Sequence, residues 1–313
     1  MTAKKERPER ARYTEMILFF VLTLCVMIFS VKLSPLVSAQ VRYGLRLCFE
    51  AVIGSVFPFM ILTDLITETT LFRAPEVFRR LFEKLFKING EGVGAFLLGL
   101  ICGFPTGVRI TKELFESDRI SKDEFERLVA LSSNMGPAFI ISGVGIGLLG
   151  SVRVGLILYF SSVISAAATG MIFGIGRVAK STEERVCAKT FSLVSSIRNA
   201  TLSTLSICGF IVFFSILSGL ASILIKSPLT LSAALSFLEV SNAAKFISAL
   251  NFQYENLKFM LISFSVSFCG LSIFMQTKSF FSEPSFSSAR FLLIKLAEGI
   301  ISALVTWVLL LFI

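Results

Sequence analysis

The sequence contains no histidine, a single tryptophan, and only 16% charged residues in a chain of 313. Without His, the commonest metal ligand and the commonest general base are missing, so Ser-His-Asp hydrolysis and zinc chemistry in their usual form are excluded. The six cysteines (Cys25, Cys48, Cys102, Cys187, Cys208 and Cys269) are scattered and form no CxxC pair. They read as small apolar residues and not as a disulfide framework or metal site. No Ser or Asp stands in a recognisable catalytic pair, so neither enzymatic activity nor a cofactor is expected. One Trp and four Tyr against 33 Phe provide little for interfacial aromatic belts.

What remains is overwhelmingly apolar. Hydrophobic residues make up 54% of the chain and the mean hydropathy is +0.81, far outside the range of a soluble domain. An all-α polytopic membrane protein with about seven to nine membrane segments, some broken or re-entrant, is expected. The net charge of +9 sits in short Lys/Arg runs beside apolar stretches. That pattern is an orientation signal, so the partner is the lipid bilayer and no nucleic acid.

Taken in order, a basic leader (Lys4 to Arg12) precedes an apolar run from Met16 to Val31. Val37-Ser38-Ala39 before Gln40 resembles a signal-cleavage site, but the run is long for a signal peptide and is expected to be kept as a first helix. Residues 1–40 thus form a cytoplasmic basic N-terminus plus a first span. Leu45 to Ile66 is apolar except for Glu50 and Asp64, with Gly54 and Pro58 inside, consistent with a kinked helix or a hairpin. The basic piece from Arg73 to Lys87, with Phe72, Val77, Phe78, Leu81, Leu85 and Phe86 on one face, is expected on the cytoplasmic surface.

Two interrupted stretches follow, Leu98 to Arg109 and Ser132 to Ile140, and glycine crowds both windows. Gly and Pro there leave peptide groups unpaired, which inside a bilayer survives only where backbone is buried in protein or lines a wet cavity. Between them runs a charged hairpin, Ile110 to Arg127, where Ser121 and Glu124 have capping-box spacing. If the Arg73–Lys87 piece and the basic loop 177–198 both face the cytoplasm, crossings between Gly92 and Gly176 are even in number. The plain Val154–Gly176 span supplies one, so one broken stretch crosses and the other is re-entrant. Further spans are expected at Asn199 to Ile225, Phe259 to Thr277 and Phe291 to Ile313. Pro228 to Leu250 is broken by Glu239, Asn242 and Lys245, and Lys295 and Glu298 lie close enough to pair.

The chain also repeats itself. Ser151 to Thr169 matches Ser288 to Thr306 at an offset of 137, with eight of nineteen positions identical. Cys102-Gly103 with Thr111-Lys112 is echoed by Cys269-Gly270 with Thr277-Lys278, and Glu50 by Glu239. A first half (41–176) and a second half (199–313) are expected, an internal two-fold repeat of the kind whose discontinuous helices meet at a transporter's midplane. The sequence leaves open whether the copies are parallel or inverted.

Gly103-Phe104-Pro105-Thr106-Gly107-Val108-Arg109, then Glu113 to Glu116, Ile120-Ser121-Lys122, Glu126-Arg127-Leu128, Asn134-Met135-Gly136-Pro137-Ala138-Phe139-Ile140 and Gly145 to Gly150 resemble the sporulation integral membrane proteins of the YlbJ (SpoVV) type. Phe268 to Gln276 looks like a second signature of that family. The resemblance covers most of the chain from Glu50 on, and it extends to the wider nucleoside-recognition or Gate domain group. It implies a transporter-like protein, with passage of dipicolinate or a similar small organic anion into the developing spore, at the cell membrane or the membrane around the spore. A nucleoside transporter, or a structural or assembly factor without transport, is the alternative.

The candidate substrate-binding residues are Gly103, Phe104, Pro105, Thr106, Gly107, Arg109, Asn134, Gly136, Pro137, Ser272 and Gln276. Arg109 beside a helix start is suited to a carboxylate, although it can equally snorkel to the surface. Asn134 and the N–H groups near Gly136 offer further donors, and the same residues are ordinary turn formers. Ser272 and Gln276 either line the pathway or bond neighbouring helices. Glu50 and Glu239 are candidates for a coupling proton or cation, with pairing to Arg46 and Lys245 as the structural alternative. No metal site is expected, and the partners are a small anion, the bilayer and a second copy in a homo-oligomer.

Overall fold

The computed structural model describes residues 31–62 apart from Phe59, 74–180, 192–281 and 286–312, with scattered positions before 31. The leader Lys4 to Arg12, most of the Met16–Val31 run, Asp64, Phe72, Arg73 and the charged centre of the 177–198 loop lie outside the described residues. All regular structure among the described residues is helical.

Helix α1 (Ser34–Leu47) passes into a π-helical segment, Cys48–Val56. Surface helix α2 (Glu76–Phe86) follows, and then α3 (Gly92–Ile101), α4 (Thr106–Glu116) and α5 (Lys122–Leu131). A second π-helical segment, Ala138–Leu148, leads to α6 (Val152–Gly174) and α7 (Leu193–Leu224). The chain closes with α8 (Pro228–Leu238), α9 (Val240–Ser248), α10 (Glu255–Phe268), α11 (Gly270–Ser279) and α12 (Ser288–Leu310). Among the described residues, four stretches are long and apolar enough to cross a membrane: α6, α7, α10 with α11, and α12. Shorter apolar helices complete the set at α3, the second π-helical segment and α8.

Local chemistry accounts for the boundaries. Ser121 accepts from the Glu124 amide while the Glu124 carboxylate accepts from Ser121 N, the expected capping box at the start of α5. Ser151, Ser192, Ser227 and Ser287 cap α6, α7, α8 and α12 in the simpler one-way form. Between α3 and α4 the chain turns through Cys102–Pro105 with Gly103 at φ +80°, a conformation costly for any residue with a Cβ. α3 and α4 are only 10 and 11 residues long, about 15 Å each, half a hydrocarbon thickness. Their base is closed by an ion pair from Arg119 to Glu91 at 2.9 Å. They form a re-entrant hairpin. The crossing is made instead by α5 and the second π-helical segment, joined through the unwound Ser132–Pro137, and α6 returns alongside that segment.

The second part of the chain repeats this plan. α8 and α9 form a short hairpin about Glu239, α10 and α11 form a span interrupted at Cys269-Gly270, and α12 is a plain span. α3 ends at Ile101 and α8 at Leu238, α5 at Leu131 and α10 at Phe268, α6 at Gly174 and α12 at Leu310, separations of 137, 137 and 136 residues. The element order corrects one expected pairing. Cys269-Gly270 interrupts a span and corresponds to Ser132–Pro137, whereas the Cys102–Pro105 tip corresponds to the Glu239 tip. Glu50, on the first π-helical segment, has no place in this pairing. Short identities between glycine-containing apolar helices arise from composition, and the hairpin-span-span order overrides them.

Asp123 fixes the orientation of the two copies. It binds Arg177, just past the end of α6, at 3.3 Å and Arg290, in the first turn of α12, at 2.8 Å. The C-terminus of α6 and the N-terminus of α12 therefore lie on the same face. The two corresponding helices pack against each other antiparallel, so the repeats are inverted. The face around Asp123 also carries Arg119, Lys122, Arg127 and Lys180, and a groove of about 460 Å³ lined by Arg80, Lys84, Lys87 and Arg177. By the positive-inside rule this is the cytoplasmic face.

Candidate functional site

Both interrupted stretches of the first repeat meet. Phe104 N donates to Asn134 O at 2.7 Å, so the hairpin tip is bonded to the unwound segment of the neighbouring span. A Cβ on Gly103 would lie 2.6 Å from Gly136 N, and one on Gly107 2.6 Å from Ser132 O and 2.7 Å from Ala95 O. Only glycine permits this approach of backbone to backbone. The second repeat does the same less tightly, with a Cβ on Gly270 placed 3.1 Å from Leu238 O at the other hairpin tip.

The two interruptions also touch each other. The Cys269 thiol donates to Ser133 O at 3.4 Å. Beside this junction, α12 brings in a charged pair that is fully buried: Lys295 Nζ donates to Glu298 Oε2 at 2.9 Å and to Asn134 Oδ1 at 3.0 Å. Asn134 is held in turn by its Nδ2 bond to Leu131 O at 2.6 Å. Glu298 Oε1 has no hydrogen-bond partner among the described residues, although it is buried. Lys295 and Glu298 are the eighth and eleventh residues of a 23-residue span, about 12 and 16 Å from its start, so the pair sits near the bilayer midplane.

Helix starts converge on the same junction. α4 and the second π-helical segment begin at Thr106 and Ala138 without any side-chain cap, and so does α11 at Gly270. Their first amides and dipoles favour an anion. α9 differs: the Glu239 carboxylate accepts from Ser241 N at 3.0 Å and Asn242 N at 2.7 Å, filling that helix start with the protein's own negative charge. Asn242 Nδ2 also donates to Glu239 and to Ser215 of α7.

The sequence candidates are distributed as follows. Gly103, Phe104, Pro105, Thr106, Gly107, Asn134, Gly136 and Pro137 lie at the tip-to-span junction, and Asn134 touches the buried pair. Ser272 and Gln276 are buried one turn apart on α11 and bond to each other at 2.9 Å, while Gln276 Oε1 has no partner among the described residues. Arg109 stands half-buried on the first turn of α4 and is not among the partners of Asn134, Lys295 or Glu298. Glu50 is exposed and pairs with Arg46 at 2.7 Å. Glu239 caps α9, and its neighbour Lys245 packs over the Tyr43 ring at 3.8 Å, so the two do not pair. Lys295 and Glu298 were legible as a pair, yet only the fold places them beside Asn134. The signal available was an acid and a base inside an otherwise apolar span, which marks function by default.

No family model matches the chain, and no solved structure does. The chain is 24% identical over 307 aligned residues to sporulation integral membrane protein YlbJ of Bacillus subtilis (strain 168), covering 84% of this chain and 74% of that protein. With that similarity and a helical fold rich in membrane-length helices, the chain is a multi-pass protein of the membrane that is similar to a sporulation integral membrane protein.

Proposed function

We propose that the protein carries a small organic anion, a dipicolinate-like carboxylate, across the membrane by alternating access. The observation that carries this reading is the buried Lys295, bonded to Asn134 at the junction of two broken segments and placed between inverted repeats. A buried cation beside uncapped helix starts is an electrostatic anchor for a carboxylate. The inverted hairpin-plus-broken-span plan supplies two similar bodies that can rock about a fixed central site. In this reading Asn134 orients the ligand and Lys295 neutralises it. Arg109, half-buried on α4, lies along the approach from the cytoplasmic face.

The test is uptake of labelled pyridine-2,6-dicarboxylate into proteoliposomes. Wild type is expected to accumulate the label, and Lys295→Met to lose at least about tenfold of the rate while still inserting. Arg109→Ala is expected to raise the half-saturating concentration and keep the maximal rate. Wild-type vesicles no leakier to the dicarboxylate than empty ones would refute the proposal and favour an assembly role without transport.

A further inference from the structure

Glu298 already occupies the place that a substrate carboxylate would take on Lys295. Its Oε2 accepts the Lys295 ammonium at 2.9 Å, while Oε1, equally buried, is left without a partner among the described residues. Lys295 and Glu298 together carry no net charge, so an incoming carboxylate would leave one uncompensated negative charge in a site closed to water. Two carboxylates sharing one ammonium in a low-dielectric pocket do not both stay ionised.

We infer that Lys295 and Glu298 form a proton-gated carboxylate site, in which Glu298 is the internal competitor that must take up one proton before a substrate carboxylate can pair with Lys295. The inference rests on the transport reading and adds its coupling. The exchange balances. One proton adds to the Glu298 carboxylate, its ion pair with Lys295 opens, and the substrate carboxylate closes an equivalent pair with the same ammonium. No covalent bond other than the new O–H is made, and for the carboxylate that pairs with Lys295 the charge inside the site is unchanged. The second carboxylate of a dicarboxylate adds one negative charge, which the uncapped helix starts of α4, the second π-helical segment and α11 offset. The neutral Glu298 acid gains a donor and can bond to the bound carboxylate, which gives the unpartnered oxygen a role. Release on the other side reverses the order.

The surroundings leave the proton few other destinations. α5 and its unwound extension face the pair with Asn134, which does not titrate, and α6 supplies the uncharged Ser161, Ser162, Ser165 and Thr169 to its buried face. α10 contributes Ser263, Ser265, Ser267 and, just past its end, the Cys269 thiol, which is already donating to Ser133 O. The remaining charges on elements packed against α12 are Lys122, Asp123, Glu124, Glu126 and Arg127 of α5, Arg153 in the first turn of α6, and Glu255 and Lys258 in the first turn of α10, with Arg290 of α12 itself. Asp123, Glu126, Arg127 and Arg290 are tied together at the cytoplasmic end, and the buried Glu124 carboxylate accepts from the amides of Asn89, Ser121 and Lys180. Lys295 and Glu298 are the only ion pair in direct contact among the described residues with both side chains fully buried.

The test measures binding of pyridine-2,6-dicarboxylate to the purified full chain by titration calorimetry in buffers of different ionisation enthalpy. The range runs from about pH 6 to about pH 9, where the ligand's own carboxylates stay ionised. Wild type is expected to take up about one proton per ligand and to lose about tenfold in affinity per pH unit once Glu298 is ionised in the free protein. Glu298→Gln is expected to bind with no proton uptake and no pH slope, and Lys295→Gln to bind at no pH. Proton uptake by wild type is read without any variant, so a misfolded Glu298→Gln does not remove the test. Binding without proton uptake in wild type, or the same pH slope in Glu298→Gln, overturns the gate and leaves transport standing if vesicles still take up label. Absence of both binding and uptake in wild type overturns the gate and the transport reading together.

Discussion

At the residue scale, the buried Lys295–Glu298 pair is a demand on the fold as much as a site. Two charges taken out of water are tolerated only while each holds the other. Lys295→Met leaves Glu298 alone and is expected to cost about 3–5 kcal/mol. Lys295→Met with Glu298→Leu, which removes both charges, is expected to recover most of that loss. Thermal unfolding in detergent checks it, and a double variant no more stable than the single would show the pair to be structurally idle. Gly103 makes a second point. Gly103→Ala meets Gly136 N at 2.6 Å and requires φ +80° with a Cβ, so it is expected to break the Phe104–Asn134 bond and lose transport. Gly209→Ala, in open space on α7, is expected to be neutral or to stabilise by up to about 1 kcal/mol.

At the element scale, α2 shows how a helix can be amphipathic on both sides. Phe82 and Phe86 are buried and pack, with tilted rings, against each other and against Phe96 of α3, while Val77, Phe78, Leu81 and Leu85 of the same helix stay exposed. The sequence placed Phe86 on the outer face with Phe78, but the hairpin base claims it, because only packing decides which apolar stripe the protein takes. The remaining stripe, flanked by Arg80 and Lys84, fits the lipid interface. Cysteine introduced at Phe78 or Leu81 is expected to react with a membrane-soluble thiol reagent and to resist a charged one, whereas equal reaction with both would remove α2 from the interface. Between α10 and α12, Ser263, Ser267, Ser302 and Thr306 form a buried hydroxyl chain with oxygen separations of 2.6 to 2.8 Å. Such bonds each contribute about 0.6–2 kcal/mol between membrane helices, and Ser302→Ala should lower unfolding stability within that range.

At the scale of the whole molecule, the inverted repeat makes a topological prediction. Gly150, before α6, and Ser287, before α12, hold corresponding places yet lie at opposite faces. Gly150→Cys and Ser287→Cys should be labelled by a charged thiol reagent from opposite sides of the membrane, and labelling from one side would mean parallel copies. The cytoplasmic face is latched by Asp123, which joins the ends of α5, α6 and α12. Burial raises this carboxyl, but its bond to Arg290 and the charges of Arg127, Arg290 and Arg177 outweigh that and hold it below its usual range. A depressed native value gives stability that is complete above the ordinary carboxylate pKa of about 4 and fades as pH falls through the native value. Asp123→Asn should therefore be less stable than wild type at neutral pH, with the difference shrinking in acid.

The membrane class, the positions of the plain spans, the broken stretches, the capping box at Ser121 and the repeat offset were determined by the sequence alone. Each is a local property of composition, periodicity or spacing that holds wherever the segment ends up. Parity of crossings also told that one broken stretch turns back, and tertiary structure identified it as the first. Only the fold decided that the copies are inverted, that Cys269-Gly270 answers Ser132–Pro137, and that Lys295 of α12 reaches Asn134 across 161 residues of chain. These depend on which helix faces lie against each other, and apolar helices in a bilayer carry little in their sequence to say so.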